Sequence, residues 1–241
     1  FAEKEKIKAF MFYVNTPGGA VGPTEEIYRA LMHAKKKGKK IYVAMGPICA
    51  SGGYYLASAA DHVHTVASSF TGSVGVIMQL TNLRELYEYL KIDIKTIKSG
   101  KYKDLGNSAR EMTKDERNYL QDLIDQSYNL FLNVVYEGRT KKVIEKFEEI
   151  KTEEEAHAHI KKYCDGRVFL GTKAVELGFA DAIGDQEDLK KFIEKDLDIK
   201  IKLAKEPKKT KFEILFKELQ DSISKIKAAK QNDMKLMYMV K

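Results

Sequence analysis

Short apolar segments alternate with glycine-rich loops and helical patterns over residues 6–67, and this alternation restricts the fold more than any other feature. Three segments rich in apolar and β-branched residues predict buried strands, at 6–15, 40–45 and 62–67. Helical patterns separate them, at 24–37 and from 55 to about 60. An order of strand, helix, strand, helix, strand is typical of an α/β protein with a mostly parallel sheet covered by helices.

Two glycine-rich loops, at residues 16–21 and 46–55, follow the first two predicted strands. The carboxyl ends of parallel strands meet at one sheet edge, and ligands bind beyond that edge. The second loop carries Ser51 between a strand and a helix, where helix N–H groups favour negative charge. This geometry suits a serine nucleophile, and a tight turn with an ordinary N-cap serine is the alternative interpretation.

The remainder of the chain continues the mixture of strands and helices. The expected elements are a turn and strand at 69–78, a helix at 82–90, a strand at 92–98, a long amphipathic helix from 113 to about 137, a charged helical stretch at 140–162 and a turn-helix-turn at 166–184. Thr113 and Glu116 have the spacing of a capping box at the start of the long helix. We expect one domain over residues 1–195 and a basic, helical C-terminal extension over residues 196–241.

The net charge of +7 raises the question of an anionic partner. The lysines do not form an arginine-rich, aromatic module of the kind that reads nucleic acid, so we expect no nucleic-acid partner. A solvated lysine face is the main interpretation, and attraction to anionic lipid is the alternative. Cys49 and Cys164 have neither disulfide-framework nor zinc-ligand spacing, which predicts two small core residues.

No apolar run approaches the ~20 residues that a membrane-spanning helix needs. The sequence begins at Phe1, without a methionine and directly ahead of a predicted strand. We therefore expect an upstream segment that could hold a membrane anchor.

Several motifs together give this chain a resemblance to a known family. They are Asn-Thr-Pro-Gly-Gly at 15–19, Ala-Ser-Gly-Gly-Tyr-Tyr at 50–55, Thr-Gly-Ser-Val-Gly-Val at 71–76, Ser-Gly-Lys-Tyr-Lys-Asp at 99–104, Gly-Arg-Val-Phe-Leu-Gly at 166–171 and Gly-Phe-Ala-Asp-Ala-Ile-Gly at 178–184. In this order and spacing, over roughly residues 6–195, they strongly resemble the signal peptide peptidase A family, peptidase family S49. The resemblance implies a Clp/crotonase-like fold with repeated β-β-α units.

The resemblance also implies a catalytic dyad without a histidine. Ser51 matches the nucleophile, Lys103 the general base, and Ser73 the serine that holds the base by a hydrogen bond. Such a lysine acts as a base only when it is neutral, so burial must lower its pKa by several units from ~10.4. Lys101 is a rival for this role, although it matches no functional position of the family. His62 and His64 are expected to be structural.

The other site residues follow from the same motifs. Gly19 and Gly52 match the two residues whose N–H groups form the oxyanion hole. Gly18, Val74 and Gly75 match substrate-binding positions, and we expect residues 73–78 to offer a strand edge to an extended peptide. No metal or other cofactor is implied.

Partners and location are implied by the family as well. Family members process apolar remnants of cleaved signal peptides, form homo-oligomeric rings, and can complete the dyad across a subunit boundary. The resemblance therefore implies peptide substrates and a ring of identical subunits for this chain. It also implies a membrane anchor upstream of residue 1, with the catalytic domain on the outer face of the inner or plasma membrane.

Two other functions stay open at this point. A crotonase-type acyl-CoA enzyme shares the Gly-Gly oxyanion loop but needs no serine nucleophile, so the activity would survive a Ser51→Ala substitution. A non-catalytic scaffold associated with membranes would bind lipid vesicles through the basic extension and hydrolyse no peptide.

Overall fold

A computed structural model of the chain describes residues 2–201. Its strands are β1 (Ala9–Thr16), β2 (Lys40–Ala50), β3 (His62–Thr65), β4 (Phe70–Gly72), β5 (Val168–Leu170) and β6 (Ala182–Ile183). Its helices are α1 (Val21–Lys36), α2 (Gly52–Ser58), α3 (Arg84–Tyr89), α4 (Lys114–Lys146), α5 (Glu153–Lys161), α6 (Gly171–Leu177) and α7 (Gln186–Leu197). The predicted α/β class is confirmed, as a curled sheet covered by helices.

The central strand of the sheet is β2, because it pairs with three other strands. It runs parallel to β1 along most of its length, to β3 in its first half and to β4 at its end. At the two ends of the sheet, β6 pairs parallel with β3 and β5 pairs antiparallel with β4. The carboxyl end of β2 therefore lies between the ends of β1 and β4, where the glycine-rich loops begin.

Both faces of β2 are covered, which accounts for its continuous apolar sequence. Residues 41–46 are all buried. Ile41, Val43 and Met45 belong to the main core, whereas Tyr42 and Ala44 pack with Leu189 and Ile193 of α7. A strand buried on both faces is a rigid support for whatever follows its carboxyl end.

A buried ion pair joins α4 to the segment before β6. The guanidinium of Arg139 donates to both carboxylate oxygens of Asp181, at 2.9 and 3.1 Å, and to the carbonyl of Gly178 at 2.8 Å. Asp181 also accepts from the backbone N–H of Val63 in β3. Burial by itself raises the pKa of Asp181, but the charge and hydrogen bonds of Arg139 outweigh it, so this pKa lies below its usual value.

Several predicted boundaries are confirmed and others are wrong. The capping box is present, since Thr113 and Glu116 each accept from the other's backbone N–H at the start of α4. That helix continues to Lys146, nine residues beyond the predicted end at 137. The first helix begins at Val21 and not at Thr24, whose hydroxyl donates to the carbonyl of Ala20.

Of the strand predicted within 69–78 only β4 (Phe70–Gly72) is present, and the strand predicted at 92–98 is absent from the described residues. The first is interrupted at Ser73, where φ is +52° and the extended conformation of β4 ends. The second contains Ile92, Ile94 and Ile97, which are all exposed and pair with no strand among residues 2–201. The prediction of a strand edge for substrate at 73–78 is therefore wrong for this chain alone.

Both cysteines are free and buried, as predicted. No helix within residues 2–201 is long and apolar enough to cross a membrane. The predicted helix of the C-terminal extension falls, from residue 202 onwards, outside the described residues and stays a prediction.

Candidate active site

Ser51 occupies a strained turn between β2 and α2. Its φ and ψ are 51° and −120°, a region that residues other than glycine adopt at a cost of about 1–3 kcal/mol. Its backbone N–H donates to the carbonyl of Gly72 at 2.9 Å, and its own carbonyl accepts from Tyr55 at 2.9 Å. The hydroxyl makes no capping hydrogen bond to α2, which removes the interpretation of Ser51 as an ordinary N-cap. Strained strand-to-helix turns of this form expose the nucleophilic serine of α/β-hydrolases.

The first glycine-rich loop closely approaches this serine at Gly18. A Cβ atom on Gly18 would lie 2.7 Å from Cβ and 3.0 Å from Oγ of Ser51, closer than real Cβ atoms come. Gly18 also has a φ of +116°, which disfavours any side chain. Thr16 fixes the loop, because its hydroxyl donates to the Gly18 carbonyl at 3.1 Å and accepts from the Gly18 N–H at 3.2 Å.

Two backbone N–H groups lie beside Ser51 without an acceptor. The Gly19 nitrogen is 3.4 Å from the position that a Cβ on Gly52 would take, so the two backbones are in close contact. Within residues 2–201, neither the Gly19 nor the Gly52 N–H donates a hydrogen bond. A pair of free donors beside a hydroxyl is the arrangement that stabilises a tetrahedral oxyanion.

Two cavities flank the serine turn. One, of about 370 Å³, is lined by Ser51, Gly19 and Gly52 together with residues of α1 and α4. The other, of about 500 Å³, lies against Ala50 and Pro17 and has mostly apolar walls. Its other lining residues are Ile48, Phe70, Ser73, Val168, Phe169 and Leu170. An extended peptide across Ser51 would have room for a side chain on either side.

The sequence did not indicate that α1 and α4 would contribute to the first cavity. The Tyr28 hydroxyl of α1 donates to the Glu137 carboxylate of α4 at 3.0 Å. Burial and this carboxylate together raise the pKa of Tyr28 well above its usual value. Both residues line the cavity, and the apolar Val76 and Ile77 line it as well. These residues belong to ordinary amphipathic patterns, which carry no signal that they line a site.

The predicted substrate-binding residues differ in what they offer. Gly75 lines the cavity that contains Ser51. The Val74 side chain is fully buried, and its carbonyl already accepts from the N–H of Gly166 at 3.0 Å. Ser73 lines the second cavity and, like Ser51, has a positive φ, while its N–H donates to the Arg167 carbonyl at 2.8 Å.

Lys103 is exposed and is not in contact with Ser51. It lies in a turn where its N–H donates to the carbonyl of Gly100, and its amine has no hydrogen-bond or ion-pair partner among residues 2–201. Its neighbour Lys101 is 2.8 Å from the Asp115 carboxylate, a hydrogen bond that raises the pKa of Lys101. A lysine held in its charged form is a poor base, which favours Lys103 over its rival.

The two candidate histidines lie elsewhere. His62 stacks on the ring of Phe192 in α7, with centroids 3.7 Å apart, and His64 lies 5.0 Å from His62. Neither side chain contacts Ser51. Their packing agrees with the structural role expected of them.

Comparison with known proteins adds independent information on this arrangement. A family model described as "Peptidase family S49" matches residues 33–200, a range that includes Ser51, Ser73 and Lys103. A putative protease from Synechocystis sp. is 37% identical over 190 residues, which are 79% of this chain and 63% of the relative. A putative protease from Methanocaldococcus jannaschii is 34% identical over 79% of this chain and 56% of its own length. A putative signal peptide peptidase SppA from Enterococcus faecium is 33% identical over 77% of this chain and 50% of its own. The chain thus spans between half and two thirds of the length of these curated relatives.

Proposed function

The chain belongs to peptidase family S49, and on that premise we propose that it is a serine endopeptidase with Ser51 as nucleophile and Lys103 as general base. The observation that carries the proposal is the strained turn at Ser51, which shares a cavity with Gly19 and Gly52, whose N–H groups donate no hydrogen bond within residues 2–201. We place this site in a Clp/crotonase-like domain of repeated β-β-α units over residues 1–195.

The reaction follows from these groups. Neutral Lys103 takes the proton of the Ser51 hydroxyl as the oxygen attacks the carbonyl carbon of the scissile peptide bond. The N–H groups of Gly19 and Gly52 donate to the negative oxygen that forms on that carbon. Lys103 then gives its proton to the leaving amine, and water hydrolyses the resulting acyl-enzyme by the same steps. In this mechanism Ser73 accepts a hydrogen bond from the lysine and orients it.

A neighbouring copy of the chain supplies Lys103 in this proposal. Residues 76–103, the Lys103 segment, contain no buried side chain in a single chain. Their apolar side chains are instead strongly exposed, with Ile77 at 82%, Tyr89 at 83% and Ile97 at 100%. Exposed apolar surface of this extent is typical of an interface between proteins. Association of copies in a homo-oligomeric ring would bury the segment and bring its lysine to a serine.

The proposed substrates are apolar peptides such as cleaved signal peptides. The support is the cavity beside Ala50, whose walls are almost entirely apolar, and the name of one relative, a putative signal peptide peptidase. Apolar pockets bind apolar side chains and leave the backbone of an extended peptide for hydrogen bonding. We also propose that the domain works on the outer face of the inner or plasma membrane, where such peptides are generated.

Single substitutions test the dyad. Ser51→Ala and Lys103→Ala are each expected to lower kcat/KM for a fluorogenic apolar peptide at least about 10³-fold, because neither half activates a nucleophile alone. Ser51→Ala should also abolish labelling by a fluorophosphonate. The controls Ser68→Ala, at an exposed serine, and Lys101→Ala should keep parental rates. Activity that survives Ser51→Ala would contradict the proposal and favour a crotonase-type enzyme.

A further inference from the structure

Arg110 makes the most extensive set of ionic contacts near Lys103. Resting on the dyad proposed above, we propose that Arg110 is a positioning residue. Its guanidinium pairs with the carboxylate of Asp104, the residue after Lys103, and links the Lys103 turn to Glu116 of α4. Lys103 is thereby left without a carboxylate of its own and remains able to lose its proton to solvent and to accept one from a serine.

The first contact of Arg110 is with the residue that follows Lys103. Its Nε donates to a carboxylate oxygen of Asp104 at 2.9 Å, and its Nη2 donates to the Asp104 backbone carbonyl at 3.3 Å. Lys98 pairs with the other oxygen of the same carboxylate. The Asp104 side chain is only 10% exposed, and each of its two carboxylate oxygens is paired with one of these cations.

The second contact of Arg110 is with the first turn of α4. Its Nη1 and Nη2 donate to the two carboxylate oxygens of Glu116, at 2.9 and 2.5 Å. Glu116 is itself fixed, because it accepts from the backbone N–H of Thr113 in the capping box. Farther along, α4 lines the cavity that contains Ser51. Arg110 therefore ties the lysine turn to α4 of the same chain.

The fork of a guanidinium is required for this arrangement. An arginine presents donors on two edges and can bind two carboxylates at once, whereas a lysine presents a single point charge. Its hydrogen bonds hold the pKa of Asp104 well below its usual range and lower the pKa of Glu116 to about 2. Both carboxylates are therefore charged at neutral pH and need the cation.

The charges around the Lys103 turn are balanced without Lys103. Asp104 forms ion pairs with Arg110 and Lys98, Glu116 forms one with Arg110, and Asp115 forms one with Lys101. Glu111, the remaining carboxylate nearby, pairs with Arg84. Without Arg110, the carboxylate of Asp104 would be half vacant beside Lys103. A nearby carboxylate favours the charged ammonium over the neutral amine that catalysis needs.

The pH dependence of peptide hydrolysis by the full chain tests this role. In Arg110→Gln, the pH at which kcat/KM reaches half of its plateau should rise by about one unit, so that kcat/KM falls about tenfold at lower pH. Removing the carboxylate as well, in Arg110→Gln with Asp104→Asn, should return the midpoint to its parental value. Arg110→Lys keeps a positive charge beside Asp104 and should shift the midpoint less than Arg110→Gln. The matched control Arg117→Gln removes an exposed arginine of α4 whose side chain pairs with no carboxylate among residues 2–201, and should leave the profile unchanged.

The outcomes separate this inference from the dyad itself. A uniform loss across all pH values, or a double variant no better than Arg110→Gln, would mean that Arg110 is merely structural and would overturn the inference. If Arg110→Gln does not fold, Lys98→Gln replaces it, since Lys98 is the other cation on Asp104; a midpoint that stays parental there would equally overturn it. If Lys103→Ala keeps parental activity, the dyad fails and this inference fails with it. If Lys103→Ala is inactive while Arg110→Gln keeps the parental midpoint, only the role of Arg110 is excluded.

Discussion

The two halves of the proposed dyad lie in very different surroundings. Ser51 follows a strand that is buried on both faces, and its backbone is hydrogen-bonded to Gly72 and Tyr55. Lys103 ends a segment, residues 76–103, in which no side chain is buried. The nucleophile is therefore preorganised by a single chain, whereas the base is presented on a surface that a single chain leaves open.

The two regions therefore differ in what stabilises their conformation. Strain at Ser51 is supported by the core beneath it, as expected for strained residues at functional sites. The Lys103 segment has its own ionic contacts, and Tyr102 stacks on Tyr119, but no side chain of the segment is buried among residues 2–201. We interpret it as a surface whose packing is completed by a second copy, and the following experiments address that interpretation.

The largest expected effect is on stability, and it compares the buried ion pair of Arg139 with the exposed ion pair of Lys101. Arg139→Ala should lower the free energy of unfolding by about 3–5 kcal/mol, because it leaves Asp181 charged and buried without its partner. Lys101→Ala removes a pair in which both side chains are 64% exposed and should leave stability unchanged within error. Urea unfolding of the two variants beside the parent measures both values. Equal losses of unfolding free energy in the two variants would contradict the difference between the buried core and the exposed segment.

A smaller expected effect comes from the exposed segment. Ile97→Asp should lower kcat/KM by about 10²-fold or more and dissociate the oligomer, because a charge cannot be buried at an apolar interface. The urea midpoint of the protomer should not change, since Ile97 is fully exposed in the single chain. Light scattering after size exclusion reports the assembly. The control Ile183→Asp, at an exposed isoleucine of β6, should assemble and hydrolyse peptide as the parent does. An Ile97→Asp variant with parental assembly and activity would show that Ile97 does not lie in an interface between copies.

The smallest expected effect is a loss of stability in mild acid. Burial lowers the pKa of His62 to about 4, and it lowers the pKa of His64 as well. The folded pKa of His62 lies below the ordinary histidine value of about 6.5, so its contribution to stability is complete above about pH 6.5 and is lost as the pH falls towards 4. His62→Gln should flatten this part of the curve of unfolding free energy against pH. His33→Gln, at an exposed histidine, should not; an unchanged slope in His62→Gln would contradict the assignment.

The Ser51 side of the molecule could be predicted from sequence because its signals are local. A continuous apolar run indicated β2, and glycines marked the two loops where backbones come close together. The same loops carry the motifs that gave the family. Here propensity, pattern and packing agree, which is the condition under which sequence reasoning succeeds.

The other side could not be predicted in the same way. The sequence at 92–98 predicted a strand, but Ile92, Ile94 and Ile97 are exposed in the single chain and contribute to an apolar surface instead. Arg110 lies six residues from both Asp104 and Glu116, and it contacts both because turns and irregular backbone lie between them, which no local pattern predicts. The contributions of α1 and α4 to the cavity depend on how helices pack, which no local pattern records.

The central claim is that one chain supplies Ser51 and another supplies Lys103, and complementation tests it most directly. Ser51→Ala and Lys103→Ala, each inactive alone, are co-expressed or refolded together and assayed on an apolar peptide. Random mixing puts an intact serine beside an intact lysine from a neighbour at roughly one quarter of the sites, because the heterologous contacts of a ring join different copies. We predict that the mixture recovers roughly that fraction of the parental activity. A mixture that assembles but stays as inactive as its components would show that each chain completes its own dyad, and would contradict the account.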